Sequence, residues 1–232
     1  MRTALICLEE PDAFIDLPVA KKQLGLSDTD TSKDVLVQSI IDGVCSFLDG
    51  ADGSLKRAVG EQTLKLVMPA FRTKVRDCAP GDRFSRDYSQ AWQQIELPLP
   101  PIRSVTSVKY FDTDGIEQTM DASLYRLVNR GSERSRLVAV SGWPACQCRD
   151  DAVSVTFVAG YGDEADQVAM PKVIRQAALL MIRRLYDMGT RNIFLASETV
   201  EGVSAKSYFA EGAVNAMQDV VDNLLFNVRL TA

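Results

Sequence analysis

The sequence predicts an α+β protein, mainly α: a helical bundle with a small antiparallel β hairpin and sheet part and a C-terminal helix. Three observations predict it. Apolar residues recur at spacings of three and four over residues 34–48, 171–188 and 213–229, the period of a helix with one buried face. A proline-punctuated strand and an Asp-Gly turn over residues 95–120 mark a hairpin. The other strand patterns are short. With 232 residues, 46% of them hydrophobic, the chain is long enough to bury a real core. It divides into residues 1–188 as the main domain and residues 189–232 as a C-terminal arm and helix.

The elements follow in order. Residues 14–26 read as a short helix, with Asp16 as cap, Pro18 in the first turn and Gly25 as stop. Thr31-Ser32-Lys33-Asp34 has the form of a capping box. Leu36, Ile40, Val44, Phe47 and Leu48 then make one apolar helical face, and residues 49–53 end the helix. Residues 62–69 read as a strand, with Leu64 and Leu66 alternating with polar neighbours.

Residues 72–90 read as an exposed excursion. Arg72, Lys74, Arg76, Arg83 and Arg86 make it locally basic. Such a loop is a solvated surface, or it meets an acidic partner or a phosphate backbone.

Pro98, Pro100 and Pro101 cannot donate to a sheet ladder. Residues 95–98 are therefore an edge strand or a polyproline-like approach. Residues 105–111 form a strand, 112–115 a turn, and 116–120 the return. Residues 124–128 and 136–140 are two more short strands. Val153, Val155 and Phe157 alternate with Ser154 and Thr156 in another.

Pro171 opens the best helix, whose apolar face is Ile174, Ala177, Ala178, Met181, Ile182 and Leu185. Asp163, Glu164 and Asp166 precede it and suit its dipole, and Gly189 stops it. Residues 199–209 are β-prone but have no obvious partner. They read as an arm that pairs with another chain or as a flexible loop. In the last helix Val214, Met217, Val221, Leu224 and Val228 share a face.

Composition narrows the function classes. The net charge of -5 argues against a sequence-independent nucleic-acid binder. No stretch approaches a membrane span. The apolar run at residues 4–8 is too short for a signal-peptide core, so the chain reads as made and kept in a cytoplasm. The five cysteines, Cys7, Cys45, Cys78, Cys146 and Cys148, are irregularly spaced and read as free thiols. There is no histidine, which removes the usual general base and metal ligand.

The chemical motifs have structural readings. Gly160-Tyr161-Gly162 lacks the third glycine of a dinucleotide fingerprint and the lysine of a P-loop, so it reads as a tight turn. Asp112, Asp114 and Glu117 match only the start of a calcium loop and read as a hairpin turn. Ser141-Gly142-Trp143-Pro144 is no nucleophile elbow, and Trp143 reads as a packing residue. No catalytic, cofactor or metal residue is expected, and no cofactor.

Residues 97–110, L-P-L-P-P-I-R-S-V-T-S-V-K-Y, resemble the L-P-x-x-P-V-x-S-V-x-S-V-x-Y run of the tailed-phage (siphophage-type) head–tail connector, or portal adaptor, family, also found in gene transfer agents. Residues 155–162, V-T-F-V-A-G-Y-G, resemble its V-T-F-x-A-G-Y-G. Residues 171–177, P-K-V-I-R-Q-A, resemble its P-x-x-I-K-Q-A helix start. Residues 14–24 are similar to its opening, with Ala20-Lys21 kept and leucine at 24. Gln23 stands where histidine is usual, residues 55–60 intervene where the family tends to turn, and residues 189–232 exceed a short member.

The resemblance implies a structural virion protein of the head–tail interface, made in a bacterial host, and not an enzyme. It implies an adaptor ring, commonly a dodecamer, that docks on the portal and receives the next connector, stopper or tail-completion protein while double-stranded DNA passes. Residues 189–232 are then the segment expected to meet the portal or a neighbouring subunit. Thr199, Val200, Val203, Tyr208, Phe209, Val221, Leu224 and Leu225 are its candidate contacts. The rivals are a tail-completion or tail-terminator ring, a small enzyme using Asp, Glu or Cys, and a DNA-binding module working through the basic loop.

Overall fold

A computed structural model of the chain describes residues 3–11, 13–71, 94–162, 168–190, 197–200, 204–207, 211–226 and 228. Its contacts fall into two compact units. The first comprises Met1–Asp12 and Gly60–Ala169, the second Ala13–Val59 and Met170–Ala232.

The first unit is built of strands. Its main sheet is antiparallel and five-stranded, ordered β1 (Ala4–Glu9), β2 (Gln62–Met68), β8 (Val153–Ala159), β4 (Ile102–Phe111) and β5 (Glu117–Thr119). β2 and β8 sit inside the sheet and alternate strictly between buried and half-buried positions over seven residues each. That alternation is the signature of a strand with one face on a core. The register sets Leu64 opposite Phe157 and Leu66 opposite Val155, and all four are buried. A slip of one residue would turn this whole set outward.

A second, three-stranded sheet is ordered β3 (Gln94–Glu96), β7 (Arg136–Ala139) and β6 (Tyr125–Val128). Ile95 and Leu137, both fully buried, face each other in it. β3 is an edge strand that stops two residues before Pro98, as the proline argument requires. Phe71, just past β2, is buried. Its ring stacks on Trp143 at 4.7 Å and leans on Tyr110 at 5.5 Å. Trp143 is therefore a packing residue.

The second unit holds the helices α1 (Leu17–Leu24), α2 (Asp34–Leu48), α3 (Lys172–Thr190) and α4 (Glu211–Phe226) and the two-stranded sheet β9 (Ser197–Val200) and β10 (Ser204–Ser207). α3 packs against each of the other three helices. Gly25 ends α1 with a φ of 74°, and its amide returns to the Lys22 carbonyl. After α2 the chain folds back on the helix end. Gly50 N–H donates to the Arg57 carbonyl and Ser54 N–H to the Phe47 carbonyl, while Leu55, Ala58 and Val59 are buried.

Several expectations are corrected. The protein is not mainly α. It is 31% helical and 26% strand, a sheet-rich α+β fold with antiparallel sheets of five and three strands. The strand segments read singly as a small hairpin part join non-locally into a full sheet, and β1 joins them at one edge. β1 carries no period-two strand signal in the sequence, because A-L-I-C-L has no polar alternation.

Three local features also differ. Thr31 and Asp34 do not form a capping box, since no side chain caps α2; the Asp34 carboxylate is held by Lys21 instead. The buried face of α2 is Val37, Ile41, Val44, Cys45 and Leu48, whereas Leu36 and Phe47 are exposed. Gly189 does not stop α3, which runs on to Thr190.

Candidate functional site

Among the described residues, the glycine turn and the Asp112 turn that the sequence singles out are both held by hydrogen bonds. Gly160 has a φ of 126°, and a Cβ there would collide with the Gly60 carbonyl. Its N–H donates to the Pro101 carbonyl at 2.9 Å, and the Gly162 N–H donates to Val168. These amides are therefore spent on the turn rather than offered to a phosphate.

Asp112 organises the β4–β5 turn. Its Oδ1 accepts from the Asp114 and Ile116 amides at 3.0 and 2.9 Å, and its Oδ2 from Gln118 Nε2 at 2.9 Å. The Gln118 side chain, followed by the Ile116 amide, holds its carboxyl below the usual carboxylate range. Glu117 faces away from this set and pairs with Lys109 at 3.3 Å. Among the described residues no group of three or more His, Cys, Asp or Glu is placed to hold a metal ion.

Cys45 is buried, and burial pushes its thiol above the ordinary value, so it is an inert core residue. Cys7 and Cys148 are exposed. A cavity of about 100 Å³ in the first unit is lined by Pro101, Ile102, Arg103, Arg130, Gly131, Gly160 and Val168. Its Arg103 is ion-paired with Glu61. It is smaller than the roughly 300 Å³ at which small-molecule sites begin. The basic segment 72–90, the acids at 163, 164 and 166, and Cys78 lie outside the described residues.

The candidate contact residues separate. Thr199 and Val200 lie in β9, opposite Ala205 and Ser204 of β10. Val203, Tyr208 and Phe209 lie outside the described residues. Val221 and Leu225 are buried in the second unit and Leu224 is half-buried. Among the described side chains of α4, Val220 and Phe226 are apolar and exposed.

Two apolar surfaces are exposed where the sequence analysis expects a buried face or no strand. One is the outer stripe of α2, where Leu36, Ile40 and Phe47 follow one another at spacings of four and seven. Leu36 and Phe47 are 44% and 54% exposed. The other is β1, which ends the five-stranded sheet with Ile6 45% and Leu8 52% exposed. The signal for β1 was present in the apolar run of residues 4–8.

Among the described residues these candidate groups do not converge on one centre. No protein-family model and no curated protein matches the sequence. Solved structures do match in fold. A chain in the neck of an empty gene transfer agent particle, computed with sixfold symmetry, superposes with a TM-score of 0.60 at 18% identity, over 98% of this chain and 96% of that one. A chain in the virion of a native gene transfer agent particle gives a TM-score of 0.59 at 18% identity with the same coverage. One in the neck of a native particle, computed with twelvefold symmetry, gives 0.52 at 19%. At these identities the likeness shows a common fold, spanning nearly the whole of both chains.

Proposed function

We propose that this chain is a structural neck protein: a head–tail connector ring that docks on the portal vertex of a phage-like particle and joins capsid to tail while DNA passes. The observation that carries the reading is the end-to-end fold match to chains of gene transfer agent particles, two of them in necks computed with sixfold and twelvefold symmetry. Both units of this chain fall inside the matched span, so the helices and the sheets belong to one ring subunit.

Physical features of the chain support the same reading. A ring subunit needs two different complementary patches, and this one exposes apolar side chains on the outer stripe of α2 and on β1. An acidic chain, with a net charge of -5, repels the phosphate backbone and lets DNA slide rather than stick. The function is structural and needs no catalytic group. Residues 189–232 serve as the arm that reaches the portal or a neighbouring subunit, with Thr199, Val200, Val203, Tyr208 and Phe209 as its contacts. Val221, Leu224 and Leu225 of α4 complete this candidate set.

Light scattering of the full chain tests this, alone and mixed with the portal protein or the tail-tube protein of the same particle. Co-migration with the portal is the expected result. Binding to the tail tube and not to the portal would reassign the protein to tail completion.

A further inference from the structure

α2 turns one side to solvent, and that side is nearly free of charge. Besides Val35, its exposed residues are Leu36, Ser39, Asp42, Gly43, Ser46 and Phe47, which fall within an arc of about 140°. Asp42 is the single charge among them, and its Oδ1 accepts from Gln38 Nε2 at 2.8 Å. Val35 is 86% exposed, beside the exposed Leu36 and Phe47. A helix side that stays in water ordinarily carries charged residues throughout. Gly43 sits between the large ends of this side. Glycine inside a helix is less stable than alanine, and nothing lies within 4 Å of a Cβ built at Gly43, so packing within the copy does not call for it. With Ser39 and Ser46 a turn to either side, it leaves a shallow groove between Leu36 and Phe47 where a second helix can come close.

α3 carries a side of matching character. Its first turns expose Lys172, Val173, Arg175 and Gln176, so an apolar side chain stands there between two cations. Opposite charges on the two sides favour their meeting and fix its register. Within one copy α2 and α3 pack on each other, but through Val37, Ile41 and Val44 on one and Ile174, Ala177 and Ile182 on the other, all buried. The two exposed sides are therefore different patches of the same unit, as a head-to-tail contact requires.

We propose that the exposed side of α2 in one copy packs against the first turns of α3 in the next copy, with Val173 entering the groove at Gly43 and Lys172 and Arg175 meeting Asp42. This rests on the ring reading above, in which each copy stands between two others, and it names the contact that joins them.

The test uses the full chain with Cys7, Cys78, Cys146 and Cys148 changed to serine and the buried Cys45 left in place. Gly43→Cys combined with Val173→Cys is oxidised, alone and on the portal protein. The expected result is a covalent ladder extending beyond the dimer, with neither single variant linking. Dimers from Gly43→Cys alone would set α2 against α2 and overturn the inference. Multimers seen by light scattering with no link between copies overturn it and leave the ring reading standing. Charge reversal is the second arm. Asp42→Arg and Arg175→Asp are each expected to weaken self-association at least about tenfold with the thermal unfolding midpoint unchanged, and the two together to restore it. Losses that add instead of compensating overturn the inference. In a third arm Gly43→Trp fills the groove and is expected to abolish multimers. Multimers that persist in this variant while portal binding is lost would make the groove a portal site, and multimers that persist with portal binding intact would leave it without a role; both overturn the inference. A protein that stays monomeric both alone and on the portal overturns the ring reading as well.

Discussion

The ammonium of Lys21 lies 2.7 Å from Asp34 Oδ1, with only 4% of the lysine side chain exposed. The same nitrogen donates to the Asp30 carbonyl at 2.7 Å and to the Asp28 carbonyl at 3.2 Å. One buried cation therefore ties the last turns of α1, the connecting loop and the first residue of α2 together. Lys21→Met removes all three contacts and strands the carboxylate, a loss of about 3 kcal/mol. Asp34→Asn leaves both carbonyls and a side-chain oxygen to accept, and costs about 1 kcal/mol. Urea unfolding of the two variants measures this, and equal losses would remove Lys21 from its central role.

Asp49 plays the corresponding part at the other end of α2. Its Oδ1 accepts from the Val59 N–H at 2.8 Å, and both residues are buried. Asp49→Ala abandons a buried amide and is expected to cost about 2 kcal/mol. Asp49→Asn keeps the acceptor and should retain most of that stability. Amide exchange at Val59 provides a direct reading, faster in the alanine variant and little changed in the asparagine one.

Much of the local structure is legible in the sequence, because strand and helix periods are local signals. Val153, Val155 and Phe157 announce β8, and Pro18 and Gly25 bracket α1. The sheet itself is not legible in the same way. β2 lies beside β8, with Gln62 opposite Ala159, and no local pattern encodes that pairing. Three strong helical periods and scattered short strands therefore suggest more helix than the 31% present beside 26% strand. α2 shows a different limit. Leu36, Ile40 and Phe47 fit a helical period as well as Val37, Ile41 and Leu48 do, and the stripes differ by one residue, about 100° of rotation. Periodicity cannot choose between them, and packing against α1 and α3 does. The burial of Val221 and Leu225 is not legible either, because it depends on how α4 packs against α3.

The two stripes of α2 make opposite predictions. Ile41 is fully buried, so Ile41→Ala leaves a cavity and should cost about 3 kcal/mol. Phe47 is 54% exposed, so Phe47→Ala should cost no more than about 1 kcal/mol in the monomeric protein. Thermal unfolding at low protein concentration separates them. A larger loss at Phe47 would restore the face read from the sequence.

Gly160 and Gly25 test two meanings of a positive φ. At Gly25, with a φ of 74°, nothing lies within 4 Å of a built Cβ. Gly25→Ala then meets only backbone strain, about 1 kcal/mol. At Gly160 the added carbon meets the Gly60 and Glu61 backbone at a φ of 126°. Backbone cannot swing aside as a side chain can, so Gly160→Ala should cost about 3 kcal/mol. Chemical denaturation of both variants gives the comparison, and similar losses would mean that the strand end at Gly160 has room to move.

Acid should loosen the β4–β5 hairpin through Asp112. The Gln118 side chain and the Ile116 amide hold its carboxyl below the ordinary 3.8. The unfolded chain therefore takes up this proton at a higher pH than the folded one. The contribution is full above 3.8 and is lost as pH falls through the lower folded value. Asp112→Asn keeps an oxygen acceptor for the turn amides but cannot titrate. Its stability should decline less than that of the parent between about pH 5 and about pH 3. Asp30, Asp121 and Asp151 are also held low by their hydrogen bonds, but they are present in both proteins and cancel in the difference. Parallel stability profiles for the two proteins would show that the turn amides, and not the charge of Asp112, hold the hairpin closed.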